Sequence, residues 1–164
     1  MEQKRIEIRR YEPADNACLT AIWYQASCIS HPFLPDSLLQ EQRLQISSKY
    51  LPETETWVAV GPAGPVGFIG LIDLFIGGLF IAPEWQSRGI GSLLLSHAFD
   101  LKGKLALEVY VANQRAVDFY RKHGFCGVRR RETDDNGLPY PLILMQKPCP
   151  SASRRTPTSS SRSF

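Results

Sequence analysis

The sequence predicts a mixed α/β domain in which about four helices are interleaved among seven strands. Three observations predict this fold class. The chain has 164 residues, which is enough for one core but too few for two ordinary domains. Short alternating or apolar segments bounded by glycine and proline are typical of strands. Longer segments between them repeat apolar residues every three or four positions, as helices do. We expect one domain over residues 1–147 and a disordered tail over residues 148–164.

The N-terminal third contains one predicted strand and two predicted helices. Residues 6–9 alternate apolar and polar side chains, which indicates a half-buried strand. Pro13 then opens a helix, because proline is tolerated in a first helical turn. The segment 31–35 contains two prolines and ends this helix, and a second helix follows over residues 36–50 with Asp36 as its N-cap. The first helix carries these residues at helical spacing: Ala17, Cys18, Ala21, Ile22, Gln25 and Ala26.

The middle of the chain predicts three strands. Residues 57–60 and 66–72 form a hairpin across the turn at residues 61–64, which contains two glycines and a proline. A third strand runs over residues 75–81 and is interrupted by Gly77-Gly78. Paired glycines within a strand indicate a bulge or a close backbone approach.

The C-terminal half alternates helices and strands. Residues 89–101 form a predicted helix, residues 105–111 a strand and residues 113–123 a second helix. Two final strands, at 125–131 and 142–147, form a hairpin across an Asp-Asp-Asn-Gly turn at 134–137.

Composition and charge exclude several classes of protein. No run of about 18 apolar residues is present, and the first residues lack the apolar segment of a signal peptide, so we expect a cytoplasmic protein. The net charge of +3 equals the three arginines of the 148–164 tail, so the folded part is neutral. A neutral domain has little electrostatic reason to bind nucleic acid. We expect no membrane partner, no nucleic-acid partner, and a monomer or homodimer.

The four cysteines show no metal-binding spacing. Cys18 and Cys28 lie in a helical pattern, where we expect them to be small core side chains, and Cys126 and Cys149 are isolated. We therefore expect neither a metal site nor a disulfide scaffold.

The segment Gln86-Ser87-Arg88-Gly89-Ile90-Gly91-Ser92 predicts an anion site. It joins a strand to an apolar helix, so unpaired backbone N–H groups and the positive end of the helix dipole converge there. The two glycines allow an anion to approach closely, and Arg88 adds a positive charge. The third glycine of a dinucleotide-binding fingerprint and the Gly-Lys-Ser/Thr of a Walker loop are both absent. A phosphate or pyrophosphate is the predicted ligand.

Two segments together resemble the GNAT superfamily of N-acetyltransferases. The glutamine and glycines of the 86–92 segment resemble its motif A, and residues 113–125 resemble its motif B. Phe33-Leu34 and the 134–142 segment are similar to small stand-alone bacterial members of the YjaB type. The resemblance implies a splayed central strand pair and transfer of an acetyl group from acetyl-CoA to a primary amine in a ternary complex. The amine could belong to a small molecule, a peptide N-terminus or a lysine.

The resemblance also implies where coenzyme A binds. The backbone of Leu79, Phe80 and Ile81 corresponds to the open strand edge that pairs with the pantetheine arm. The amides of residues 88–92 would hold the diphosphate. Asn113 matches an asparagine that contacts the same arm, and it could also cap a helix.

Two residues match catalytic positions of the superfamily. Tyr120 matches the tyrosine that protonates the departing thiolate, although it also belongs to an apolar helix stripe. The spacing of Glu108, Asn113 and Tyr120 is similar to that of ribosomal-protein N-terminal acetyltransferases, in which the glutamate acts as a base through water. Glu108 could instead be a strand carboxylate paired with an arginine.

The acceptor amine is left open by the sequence. Its contacts would come from the two N-terminal helices and the last hairpin, and the candidates are Trp23, Tyr24, His31, Phe33, Asp134 and Tyr140. Asp134 and Asp135 could attract a cation, although such a turn is ordinary hairpin chemistry. Two other classes stay open, namely a non-catalytic acyl-CoA-binding module and an enzyme that modifies aminoacyl-tRNA.

Overall fold

A computed structural model of the chain describes residues 5–150. Residues 151–164, most of the predicted tail, lie outside the described residues. Seven strands are present: β1 (Glu7–Arg10), β2 (Glu55–Gly61), β3 (Gly64–Ile72), β4 (Phe75–Ile81), β5 (Leu105–Tyr110), β6 (Cys126–Arg131) and β7 (Leu142–Lys147). The helices are α1 (Asn16–Ser30), α2 (Asp36–Gln45), α3 (Leu51–Glu53), α4 (Ile90–Lys102) and α5 (Gln114–Lys122). A π-helical turn, Ile46–Tyr50, joins α2 to the single turn of α3. If the continuous stretch from α2 to α3 is counted as one helix, the described residues contain seven strands and four main helices, as predicted.

The strands form one mixed sheet in the order β1-β2-β3-β4-β5-β7-β6. Every neighbouring pair is antiparallel except β4 and β5, which are parallel. The last strand, β7, therefore lies between β5 and β6. Helices cover both faces of the sheet, and successive side chains of each strand point to opposite faces. Val58 and Phe68 pack in the core that contains α1 and α2. Their neighbours Ala59 and Ile69 pack in the core that contains α4 and α5.

The predicted interruption of β4 is a bulge at Gly77. Gly70 pairs with Gly78 and Leu71 pairs with Ile76, so Gly77 is the additional residue. The ring of Tyr50 fills the space where a side chain at Gly70 or Gly77 would stand, so both glycines also allow a close approach.

Directly after Ile76, β4 and β5 separate. The two strands pair only through Phe75 with Ala106 and Ile76 with Leu107. Further along, β4 stays paired with β3 as far as Ile81. The splayed central strand pair that the resemblance implies is therefore present, and it leaves one edge of β4 open inside the sheet.

The prediction for the core face of α1 was right for Ile22 and Ala26, which are buried, but wrong for the two cysteines. Cys18 and Cys28 are exposed free thiols, whereas the buried apolar residues of α1 are Leu19, Ile22, Trp23 and Ala26. The physical reason is size, because burying leucine and tryptophan removes much more apolar surface from water than burying cysteine and alanine. The N-cap of α2 also differs: Pro35 occupies it, and Asp36 is the first helical residue.

The expectation of no disulfide is corrected as well. Cys126 at the start of β6 is bonded to Cys149, just after β7. These residues are 23 positions apart, and the hairpin of β6 and β7 brings their Cα atoms to 5.5 Å. Nothing in their spacing marks a bonded pair, because the pairing depends on strand register.

No helix among the described residues is both long enough and apolar enough to cross a membrane.

Candidate functional site

A cavity of about 790 Å³ opens where β4 separates from β5. We call it the central cleft, and its walls come from β4, β5, the first turn of α4, one face of α5 and the end of α1. Leu79, Phe80 and Ile81 line it and are half-buried. The cleft is therefore bordered by the open edge of β4 at the positions predicted to pair with pantetheine.

One end of the cleft is formed by the turn before α4. Ser87 and Gly89 have φ values of 63° and 82°, so the chain reverses sharply there and Gly89 caps α4. Arg115 of α5 supports the turn, since its guanidinium donates to Ser87 Oγ at 2.9 Å and to Gln86 Oε1 at 3.3 Å. The first amides of α4, at Ile90, Gly91 and Ser92, belong to residues that line the cleft. This arrangement suits an anion.

Two residues of the predicted anion site, Arg88 and Gly91, contact aromatic side chains in the structure. The Arg88 guanidinium lies over the Trp85 ring, 4.8 Å from its centroid, and Arg88 does not line the cleft. A side chain on Gly91 would lie 3.3 Å from the Phe119 ring, so Gly91 permits close packing of α4 against α5. The cations that do line the cleft are Arg115 and Lys122.

A histidine that the sequence analysis missed connects α5 to the same turn. His123 Nδ1 lies 2.8 Å from the Phe119 carbonyl, and its Nε2 lies 2.8 Å from Ser92 Oγ. A carbonyl can only accept, so Nδ1 carries a proton and, in the neutral ring, Nε2 accepts from Ser92. Arg115, Phe119 and His123 recur every four residues, and this spacing is the signal that could have placed all three on the face toward α4.

Tyr120 lies deeper in the cleft. It is buried, and its ring packs edge-on against Phe119 and Phe125. Burial raises the pKa of the phenol well above its usual value, so the hydroxyl keeps its proton at neutral pH. Asn113 also lines the cleft, and its Oδ1 accepts from the Ala116 amide at 3.3 Å as the N-cap of α5.

Glu108 is held by an arginine. Its side chain is 4% exposed, and Arg131 binds both carboxylate oxygens, with Nε to Oε2 at 2.7 Å and Nη2 to Oε1 at 3.1 Å. The same guanidinium donates to Asp135 at 3.0 Å. Glu108 also borders the cleft, where a base would have to lie. Both of its oxygens, however, are bound by Arg131, as expected for a strand carboxylate paired with an arginine.

The opposite end of the cleft is aromatic. His31 lines it at the end of α1, and its ring lies 5.0 Å from Tyr110 and 5.7 Å from Phe33, both edge-on. Burial lowers the pKa of His31 to about 4, so the imidazole is neutral at physiological pH. Tyr140 packs on Phe33 and donates to its carbonyl at 2.8 Å.

The remaining acceptor candidates have structural contacts. Asp134 accepts from the Tyr110 hydroxyl at 3.1 Å and from the amides of Asn136 and Leu138, so its carboxylate holds the loop between β6 and β7. Trp23 is buried in the core. Tyr24 donates to Asp36 at 3.0 Å on the outer surface of α1. Of the six candidates, only His31 lines the central cleft.

Comparisons with known proteins agree with this geometry. A family profile described as an acetyltransferase (GNAT) domain matches residues 52–126. The chain is 39% identical to the peptidyl-lysine N-acetyltransferase YjaB of Salmonella typhimurium over 144 residues, which cover 87% of this chain and 99% of that protein.

Two solved structures extend the comparison. The solution structure of apo YjaB from Escherichia coli superimposes with a TM-score of 0.79 at 37% identity, covering 87% of this chain and 97% of that one. The PaiA N-acetyltransferase of Thermoplasma acidophilum, solved with coenzyme A, has a TM-score of 0.73 at 22% identity and covers 87% and 98% of the two chains. At that identity the second likeness concerns the fold alone.

Proposed function

This chain belongs to the GNAT family of N-acetyltransferases, and from that premise we propose that it transfers the acetyl group of acetyl-CoA to a lysine side chain of a protein or peptide. The observation that carries the proposal is a single cleft with three parts. The turn before α4 forms one end, an open strand edge follows, and a buried phenol lies beside it. Lysine as acceptor is supported by the YjaB relatives, which are peptidyl-lysine N-acetyltransferases.

The open edge of β4 suits a chain of amides. Backbone groups after Ile76 on the side of β5 have no strand neighbour, so an extended ligand with amide donors and acceptors can pair there. The amides of residues 89–92 and the cations Arg115 and Lys122 would neutralise the diphosphate. Arg88 would contribute only if it left the Trp85 ring.

Tyr120 would supply the proton that the leaving sulfur requires. In the transfer, the lysine nitrogen forms a bond to the thioester carbonyl carbon, and the carbon–sulfur bond breaks. Tyr120 gives its proton to the sulfur as that bond breaks. A phenol that stays protonated in a buried site can act as such an acid at neutral pH.

The test is a comparison of three acceptors with the full chain and acetyl-CoA. One peptide contains an internal lysine and a blocked N-terminus, a second has a free N-terminus and no lysine, and the third acceptor is a polyamine. We expect acetylation of the first, measured by mass spectrometry together with release of free thiol. Transfer only to the free N-terminus or to the polyamine would refute lysine specificity, and thiol release equal to that without acceptor would refute transfer.

A further prediction concerns the turn before α4. Gly89→Val and Gly103→Val both place a β-branched residue at a positive φ, 82° and 76°, where open space surrounds the glycine. Both should lower the free energy of unfolding by about 1–2 kcal/mol. Only Gly89 adjoins the proposed diphosphate site, so calorimetry should show affinity for acetyl-CoA falling at least roughly tenfold in Gly89→Val alone. Equal affinities of the two variants would contradict the site, since Gly103 caps the far end of the same helix.

A further inference from the structure

The proposed transfer needs a group that removes a proton from the acceptor nitrogen. A lysine ammonium has a pKa of ~10.4, so it is protonated at neutral pH and cannot attack. Once the nitrogen is bonded to the carbonyl carbon, it must also lose a second proton to become an amide. This step rests on the proposed function, and the resemblance assigned it to Glu108 or to water.

Glu108 is poorly placed to accept that proton. Both of its oxygens receive hydrogen bonds from Arg131, at 2.7 and 3.1 Å, and its side chain is almost completely buried. Arg131 is fixed in turn by Asp135. Acting as a base would require Glu108 to give up charge-assisted bonds, which are about twice as strong as neutral ones.

His31 has the opposite environment. It lies at the C-terminal end of α1, where its backbone N–H binds the Ser27 carbonyl, and Pro32 prevents the helix from continuing. The edge-on rings of Phe33 and Tyr110 fix the plane of the imidazole. Within residues 5–150, neither ring nitrogen takes part in a hydrogen bond or ion pair, and the residue lines the central cleft.

From this geometry we infer that His31 is the catalytic base that accepts the proton that the acceptor nitrogen loses once it is bonded to the carbonyl carbon. The two proton-transfer residues then line one cleft, with His31 contributed by the end of α1 and Tyr120 by α5. Glu108 becomes a positioning residue that holds Arg131 and, through it, the loop after β6.

The step balances in atoms and charge. A bond forms between the amine nitrogen and the carbonyl carbon, and the bond between that carbon and sulfur breaks. The lysine ammonium gives its first proton to water before it attacks, and its second proton passes from the bonded nitrogen to His31, while one proton passes from Tyr120 to sulfur. The products are an acetylated lysine and a free thiol, and the imidazolium and phenolate return to their starting forms through water.

The experiment compares three variants of the full chain with the lysine peptide. His31→Phe keeps a ring against Phe33 and Tyr110 but has no nitrogen, and His31→Gln keeps polarity without an imidazole. Both should lose roughly 100-fold or more in kcat, within the usual range for acid–base groups. Glu108→Gln keeps the shape of the carboxylate and should stay within about tenfold of the wild type, because its role is to position Arg131.

Two further measurements separate a base from a structural residue. Calorimetric affinity for acetyl-CoA should be unchanged within about threefold in all three variants, which shows that the cleft is intact. In a fourth variant, His31→Ala, added imidazole should restore part of the lost lysine acetylation, above a blank without enzyme.

The outcomes are distinct. If His31→Phe retains kcat within threefold while Glu108→Gln loses roughly 100-fold, the base is Glu108 and the inference is overturned. If neither variant changes kcat, water is the base and the inference is again overturned. A wild-type protein that acetylates no lysine peptide contradicts the proposed function instead.

Discussion

Tyr120→Phe should lower kcat by roughly 10- to 1,000-fold with the lysine peptide, while affinity for acetyl-CoA stays within about threefold. The substitution removes only the hydroxyl, and the ring contacts with Phe119 and Phe125 remain. The thiolate then has to leave without a proton donor, so the loss falls on the chemical step. Steady-state kinetics with thiol detection, combined with calorimetry, measure both quantities.

Tyr110→Phe is the matched control for that experiment. Tyr110 also lines the central cleft, and burial likewise raises its pKa well above the usual value. Its hydroxyl donates to Asp134, however, so it is engaged in holding a loop. We expect Tyr110→Phe to reduce kcat by less than about threefold. Equal losses in the two variants would contradict the assignment of Tyr120 as the acid.

Arg131→Ala should destabilise the fold by about 2–3 kcal/mol. The guanidinium holds both oxygens of Glu108, whose side chain is 4% exposed, so its removal takes a bidentate cationic partner away from a buried carboxylate. The loss should fall below the largest values for buried pairs, because the Arg131 side chain is 32% exposed and solvent screens part of the interaction. Urea denaturation at neutral pH measures it.

Arg130→Ala provides the comparison on the same strand. Arg130 pairs with Glu132 at 2.9 Å, but both side chains are more than half exposed. Exposed ion pairs contribute at most about 1 kcal/mol, so the urea midpoint of Arg130→Ala should stay close to that of the wild type. The double variant Arg131→Ala with Glu108→Gln should recover part of the stability, because it removes the buried charge that Arg131 neutralises in the wild type. No recovery would show that the loss in Arg131→Ala came from packing rather than charge.

Most of the fold could be predicted because local signals agree with the final structure. Pro13 and the glycines at 61 and 64 mark boundaries that the structure keeps, and the Gly77 bulge follows from paired glycines within a strand. The face of α1 could not be read in the same way. Two stripes of that helix are apolar, and only the size of Leu19 and Trp23 against the sheet decides between them.

The site was predictable where it is continuous in sequence and unpredictable where it depends on strand order. The turn at 86–92 and Tyr120 belong to short segments, and both border the cleft. The pairing of Glu108 with Arg131 requires β7 to lie between β5 and β6, and a predicted hairpin does not reveal which strand lies beside it. The Cys126–Cys149 bond depends on the same hairpin register. Long-range pairings of this kind leave no local pattern.

Only two residue pairs join β4 to β5, so the sheet consists of a four-stranded part and a three-stranded part. Backbone groups inside a protein need partners, and those along the far half of β4 have no strand partner across the gap, although the Ile81 carbonyl accepts from the Gln86 side chain. A bound ligand with amide groups that fills this gap would connect the two parts of the sheet as an additional strand. The rigidity of the domain, as well as its activity, would then depend on whether the acyl donor is bound.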